Sequence, residues 1–173
     1  CTIPWFTLAD VWQLRDGIRK YLEQTKEKIS EVGLQHSAAE LLPAGTVAFS
    51  RTASIGFSGI MPVPMATTQD FWNWICGPTL LPDYLLYLFR ALPFDALTMG
   101  STHQTIYQPV AAGISICVPP LSEQRAIVEL IDGGSARIDV LVDRVTTSVS
   151  LLHEYRASLI SAAVTGEIDV RGE

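Results

Sequence analysis

From Leu121 to Ala163 the apolar positions form one stripe with a seven-residue period. Ile131, Ile138, Val145, Leu152 and Leu159 recur at that interval, Leu141, Tyr155 and Ala162 stand three residues further on, and Val142, Val149 and Ala163 widen the stripe. A heptad repeat sustained over this distance predicts a coiled-coil-forming helix rather than an ordinary surface helix. Pro119 and Pro120 end what precedes and are tolerated only before or within a first turn. Ser122 is the expected N-cap, Glu123 suits the positive end of the helix dipole, and Thr165-Gly166 is the expected stop. At about 1.5 Å per residue the rod would be about 65 Å long. Gly133-Gly134 and Ser148 weaken the seam, each glycine costing roughly 1 kcal/mol relative to alanine. A helical hairpin folded at Gly133-Gly134 is the alternative. Either way, so long a stripe must pack against another helix.

The pattern is different before residue 119. Short β-prone runs at Thr46–Arg51, Phe57–Met61, Phe71–Ile75 and Ile114–Val118 predict strands. Pro82 to Leu92 reads as a helix, with Pro82 in its first turn and Tyr84, Leu85, Leu88 and Leu92 on one side. Ser37-Ala38-Ala39-Glu40 has capping-box spacing for a short helix. Gly33, Gly45, Gly56, Gly59 and Gly100 punctuate turns. The expected fold class is therefore α+β: a compact mixed domain over 1–118, a long coiled-coil-forming α-helix over 119–166, and a tail over 167–173.

Composition narrows the function classes. A chain of 173 residues with 48% hydrophobic and 17% charged residues has a core to bury. The richest apolar stretch, Leu80 to Phe94, is interrupted by Asp83, Arg90 and two prolines, so no membrane span is expected. No signal-peptide pattern is present. A chain opening on Cys1 and passing at once into Ile3-Pro4-Trp5-Phe6 is expected to be a fragment, a processed chain or one lacking an N-terminal portion. The three cysteines are odd in number and fit no zinc spacing; they point to a reducing, cytoplasmic setting, with Cys76 and Cys117 in the core and no metal or cofactor. Residues 1–118 carry seven Lys/Arg and nine Asp/Glu, and residues 119–173 carry five and nine, giving a formal net charge of -6. That acidity weighs against nucleic-acid binding unless the bases share one face. Arg15, Arg19, Lys20, Lys26 and Lys28 do fall within one short stretch.

Catalytic chemistry is thin. There is no phosphate-cradling glycine loop, paired-histidine zinc motif or adenine-methyltransferase motif. Gly56-Phe57-Ser58-Gly59 imitates a nucleophile elbow, but its second glycine falls one residue early. A hydrolase using Ser58 would need a base that the sequence does not supply. Polar segments beside the strands stand out instead: Ser50-Arg51-Thr52-Ala53-Ser54, Thr67-Thr68-Gln69-Asp70 and Gly100-Ser101-Thr102-His103-Gln104. Such side chains either read base edges and grip phosphates or serve as ordinary turn residues.

Taken in order along the chain, several segments resemble the specificity subunit of type I restriction–modification systems. They are Ile3-Pro4-Trp5, Ile29-Ser30 with Gly33-Leu34 and Ser37-Ala38, Leu42-Pro43-Ala44-Gly45-Thr46-Val47, Ser50-Arg51 with Ser54-Ile55-Gly56, Ala66-Thr67-Thr68-Gln69, Tyr84-Leu85 and Gly100-Ser101-Thr102. Pro119-Pro120-Leu121-Ser122-Glu123-Gln124-Arg125-Ala126-Ile127 and the ending through Tyr155-Arg156-Ala157-Ser158-Leu159-Ile160 to Thr165-Gly166 complete the resemblance. It implies a non-catalytic DNA-recognition role as half of a bipartite reader. Such subunits carry two target recognition domains held apart by paired long helices, whereas this chain has one of each. The implied partners are double-stranded DNA, methylation subunits, a restriction subunit reached through the complex, and a second copy or the missing half of the subunit. Methyl transfer and cleavage belong to those partners. On this reading Ser50, Arg51, Thr52, Thr68, Gln69, Thr102, His103 and Gln104 form the recognition face, with Lys26 and Lys28 on phosphates. Ile131, Ile138, Leu141, Val145, Leu152, Tyr155 and Leu159 pair the helices. The competing reading is a coiled-coil scaffold without DNA contact.

Overall fold

The computed structural model describes residues 1–52, 54–93 and 105–168. The chain divides into two compact units, Cys1–Glu129 and Leu130–Glu173.

The first unit holds two three-stranded sheets. β1 (Ile3–Phe6) lies between β2 (Glu27–Ile29), antiparallel to it, and β5 (Ala66–Thr67), parallel to it. β3 (Val47–Ser50) lies between β4 (Ser58–Ile60) and β6 (Phe71–Trp74), antiparallel to both. Every residue of β3 is buried, because alternate side chains of a strand serve opposite faces and here both faces are covered. Val47 and Phe49 join Ile60, Leu85, Leu86, Phe89 and Ile106 in one core; Ala48 joins Phe6, Leu14, Leu22, Met61, Met65 and Phe71 in another.

A 3₁₀ helix, Leu8–Leu14, opens with a capping box: Thr7 Oγ1 accepts the Ala9 N–H, and the buried Asp10 carboxylate accepts the Thr7 N–H at 2.9 Å. Asp10 also accepts the Lys26 N–H at 2.7 Å, which fastens the approach to β2. Helix α1 (Glu31–Gln35) is capped by Ser30, whose Oγ accepts the Gly33 N–H at 3.0 Å. The helix expected from Ser37 does not form; its hydroxyl closes a local turn onto Ala39. Gly33 accordingly lies in α1 rather than in a turn, and Gly59 lies in β4. A Cβ on Gly59 would stand 2.7 Å from a Leu22 methyl, so close packing requires this glycine. Gly45 and Gly56 do occupy turns, at φ of 84° and 90°.

Helix α2 (Pro82–Ala91) starts at its proline as expected. The stripe it buries is Leu85, Leu86 and Phe89, while Leu88 and Leu92 are half-buried. A short helix α3 (Gln108–Ala112) follows. Residues 114–118 are not a strand. Ile116, Cys117 and Val118 are exposed and have no ladder partner among the described residues. Tyr84 Oη donates to the Cys117 carbonyl at 2.9 Å and holds this segment.

Helix α4 runs unbroken from Leu121 to Thr165, so the hairpin alternative at Gly133-Gly134 is not adopted. The N–H groups of Glu123 and Gln124 donate to the Pro120 carbonyl, which puts Ser122 inside the first turn rather than at the cap. The helix ends at Gly166, whose φ of 79° suits glycine, and Ile168 N–H returns to the Ala162 carbonyl.

Candidate nucleic-acid interface

The register of β3 with β6 pairs Ser50 with Phe71. One step outward, the Arg51 N–H donates to the Asp70 carbonyl at 2.9 Å, so the end of β3 and the turn entering β6 meet. Side chains reinforce the junction. Arg51 Nε donates to the Gln69 carbonyl at 2.9 Å, and its guanidinium lies 5.9 Å from the centre of the Trp72 ring. Trp72 is in turn stacked on Phe49 and meets Trp74 edge-on. Thr52 Oγ1 and Thr68 Oγ1 donate to Asp70 at 2.8 and 2.9 Å. Arg51, Thr52 and Thr68 remain partly exposed and Gln69 is exposed. Among the described residues neither terminal nitrogen of Arg51 has a hydrogen-bond partner. The result is a braced polar edge that presents an arginine fork, two hydroxyls and an amide.

A groove of about 520 Å³ adjoins this edge; Ser37 to Glu40, Thr67 to Asp70, Trp5 and Asn73 are among the residues that line it. The Asn73 amide donates to Thr67 Oγ1 at 2.8 Å, which ties β6 to β5.

The candidate residues are not all gathered here. Ser50 is wholly buried and its hydroxyl donates to the Thr52 carbonyl, so it shapes the turn and has no surface to offer DNA. Lys26 and Lys28 are exposed, but they lie before and on the edge strand β2, in the other sheet from Arg51. Thr102, His103 and Gln104 lie outside the described residues. The basic run is also partly neutralised. Lys20 pairs with Asp83 at 3.0 Å, and Arg19 lies 3.6 Å from both Asp16 and Glu23. Arg90 Nη1 donates to the Gly17 carbonyl at 2.7 Å, and burial pulls its guanidinium below the usual arginine range.

Asp70, which positions the site, and Gln124, which anchors α4, were not singled out as individual residues in the sequence. Asp70 was visible only as one member of a polar segment. Gln124 is completely buried: its Oε1 accepts the Leu81 N–H at 2.9 Å, and its Nε2 donates to the carbonyls of Thr79 and Pro119 at 2.8 and 2.7 Å. The glutamine of the Pro-Pro-Leu-Ser-Glu-Gln segment thus locks the first turn of α4 to the start of α2. Beyond it, Ile138, Leu141, Val145, Leu152, Tyr155 and Leu159 are between 45 and 67% exposed, and Ile131 is half-buried.

Ser58 is buried in β4, and among the described residues its hydroxyl has no hydrogen-bond partner. Among the described residues no cluster of His, Cys, Asp and Glu could hold a metal ion. Cys1 and Cys117 are exposed and Cys76 is half-buried, so the expected core placement of Cys117 is corrected; it sits in the open 114–118 segment. Among the described residues no helix is long and apolar enough to cross a membrane.

The sequence model of the type I restriction modification DNA specificity domain matches residues 2–140. The chain belongs to this family. It is 26% identical over 133 residues to the type I restriction enzyme MjaIX specificity subunit of Methanocaldococcus jannaschii, covering 75% of this chain and 30% of that protein. It is 26% identical over 163 residues to the EcoR124I/EcoR124II specificity subunit of Escherichia coli, covering 90% and 38%. The chain therefore spans about a third of the length of these relatives. Its fold is similar to that of a chain from a study of "complex assembly" and "conformational transition of the type I R-M system", with a TM-score of 0.71 at 19% identity over 93% of this chain and 38% of that one. It is also similar to the HsdS subunit of Thermoanaerobacter tengcongensis, with a TM-score of 0.60 at 19% identity over 80% of this chain and 31% of that one.

Proposed function

We propose that this chain reads one half of a bipartite DNA site as the specificity component, or half of it, of a type I restriction–modification complex. The observation that carries the reading is the braced edge of Arg51, Thr52, Thr68 and Gln69 within a domain whose family is defined by DNA specificity. Arg51 is the principal contact. Its planar fork can bind guanine O6 and N7 or a phosphate in bidentate fashion, and among the described residues its Nε bond leaves both terminal nitrogens to do so. Thr102, His103 and Gln104, outside the described residues, stay candidates by residue type alone, and Lys26 and Lys28 touch phosphates; Ser50 is removed because it is buried.

The partners follow from two features. The exposed seam of α4 supports pairing with a second copy or with the other half of the subunit, which would supply the second half-site. The net charge of -6 supports weak DNA binding by the chain alone, with methylation subunits closing around the duplex and a restriction subunit joining the cytoplasmic defence complex. Chemistry resides in those partners, and this chain contributes recognition.

The test is selection from a randomised duplex pool by the chain assembled with its methylation partner. Arg51→Ala should cost about 1–3 kcal/mol and relax one position of the selected half-site. An unchanged selected site and unchanged affinity would move the recognition face elsewhere. A scaffold without DNA contact would select no site at all.

A further inference from the structure

We propose that Asp70 is a positioning residue that converts Thr52 and Thr68 into obligate hydrogen-bond acceptors, so that this edge selects a base carrying an amino group. The inference rests on the recognition face proposed above and names what that face recognises. A threonine hydroxyl has one proton to donate and two lone pairs, and left alone it turns to suit either kind of partner. Here both protons are committed. Thr52 Oγ1 lies 2.8 Å from Oδ1 of Asp70, and Thr68 Oγ1 lies 2.9 Å from Oδ2. A carboxylate only accepts, so the direction of both bonds is forced. The Asp70 N–H leans on Thr68 Oγ1 at 3.4 Å and occupies part of its remaining capacity. What each hydroxyl can still offer a ligand is lone-pair density alone.

This has a consequence for base choice. In the major groove adenine presents its N6 amino group and cytosine its N4 amino group as donors, whereas guanine O6 and thymine O4 are acceptors. Two fixed acceptors favour adenine or cytosine and leave a guanine or thymine oxygen facing another oxygen. They also disfavour phosphate, which accepts only, so the threonines are directed to bases rather than to the backbone. Arg51 beside them is a pure donor and serves the opposite role. The pair of turns therefore presents a donor fork next to an acceptor pair, held in register by Asp70. Asp70 itself touches no DNA and acts through the two hydroxyls.

The experiment uses the full chain in its assembled methyltransferase. In the preferred half-site each adenine is replaced in turn by purine, which lacks the N6 amino group, and each cytosine by pyrimidin-2-one, which lacks N4. Deleting one particular amino group should lower wild-type affinity about 5- to 150-fold. At that position Asp70→Asn should respond less than about threefold, because its amide can donate and free a threonine proton to turn outward. A randomised pool selected with Asp70→Asn should admit guanine or thymine there. Thr68→Val keeps the side-chain shape and should lose the same discrimination, which covers the case in which Asp70→Asn fails to fold. If no amino deletion weakens wild-type binding while Arg51→Ala still relaxes the selected site, the acceptor assignment is overturned and the face stands. If Arg51→Ala also changes nothing, the face and the assignment fall together.

Discussion

Replacing Gln124 should unfasten the start of α4 from the rest of its unit. The side chain is completely buried and makes three hydrogen bonds, to Leu81 N–H and to the carbonyls of Thr79 and Pro119. Gln124→Ala removes all three partners at once. A buried group left unpaired costs about 1–3 kcal/mol, and water can partly serve the two carbonyls, so the expected loss is about 3–5 kcal/mol. That is a large share of the roughly 5–15 kcal/mol that stabilises a domain. All four tryptophans, Trp5, Trp12, Trp72 and Trp74, lie in the first unit, so urea unfolding followed by tryptophan fluorescence reports on it directly. The midpoint should fall without a change in slope. Gln124→Glu adds a pH signature. Its carboxyl could still accept from Leu81 but would face two carbonyl oxygens, which raises its pKa in the folded state above that in the unfolded chain. The variant should therefore be most stable below the unfolded-state value and lose stability as pH rises through the folded one. A Gln124→Ala protein within about 1 kcal/mol of the parent would refute the reasoning, since one orphaned buried group alone should cost that much.

Three other outcomes are expected. Leu152→Asp places a charge in the exposed seam and should weaken self-association or expression, because each buried leucine-sized side chain contributes roughly 1.5–3 kcal/mol; a sedimentation profile identical for parent and variant would count against pairing. If Lys28 touches phosphate, Lys28→Ala should weaken binding to all sequences alike and reduce the salt slope by about one; a change in sequence preference would instead make it a base contact. Iodoacetamide should modify Cys1 and Cys117 before Cys76, because Cys76 is half-buried and burial pushes its thiol pKa up, and peptide mapping over a time course gives the order directly.

Local chemistry was enough to mark several elements. The seven-residue stripe and the flanking Pro119-Pro120 and Thr165-Gly166 delimit α4, and the helix continues through Gly133-Gly134 because its hydrogen-bond ladder tolerates two glycines over so many favourable turns. Pro82 likewise sets the start of α2, since its missing N–H costs nothing at a first helical turn. Ile114 to Val118 shows the limit of such signals. Its apolar residues carry the composition of a buried strand, but a strand needs a neighbouring ladder, and the described residues supply none.

The candidate site was legible as residue types and not as an arrangement. Arg51, Thr52, Thr68 and Gln69 could be chosen because polar residues beside strands either bind or turn, and sequence alone leaves Ser50 among them. Pairing β3 with β6 buries Ser50 and brings Asp70 between two threonines that are sixteen residues apart in the chain. Gln124 stands in the sequence only as part of the Pro119–Ile127 segment, and its role follows from partners 43 and 45 residues away. The sequence by itself determined periodicity, caps and stops, because these depend on neighbours within a few turns. Only the tertiary structure decided which polar groups are buried, paired or presented, because a hydrogen bond's value depends on distant backbone that folding brings within 3 Å and removes from water.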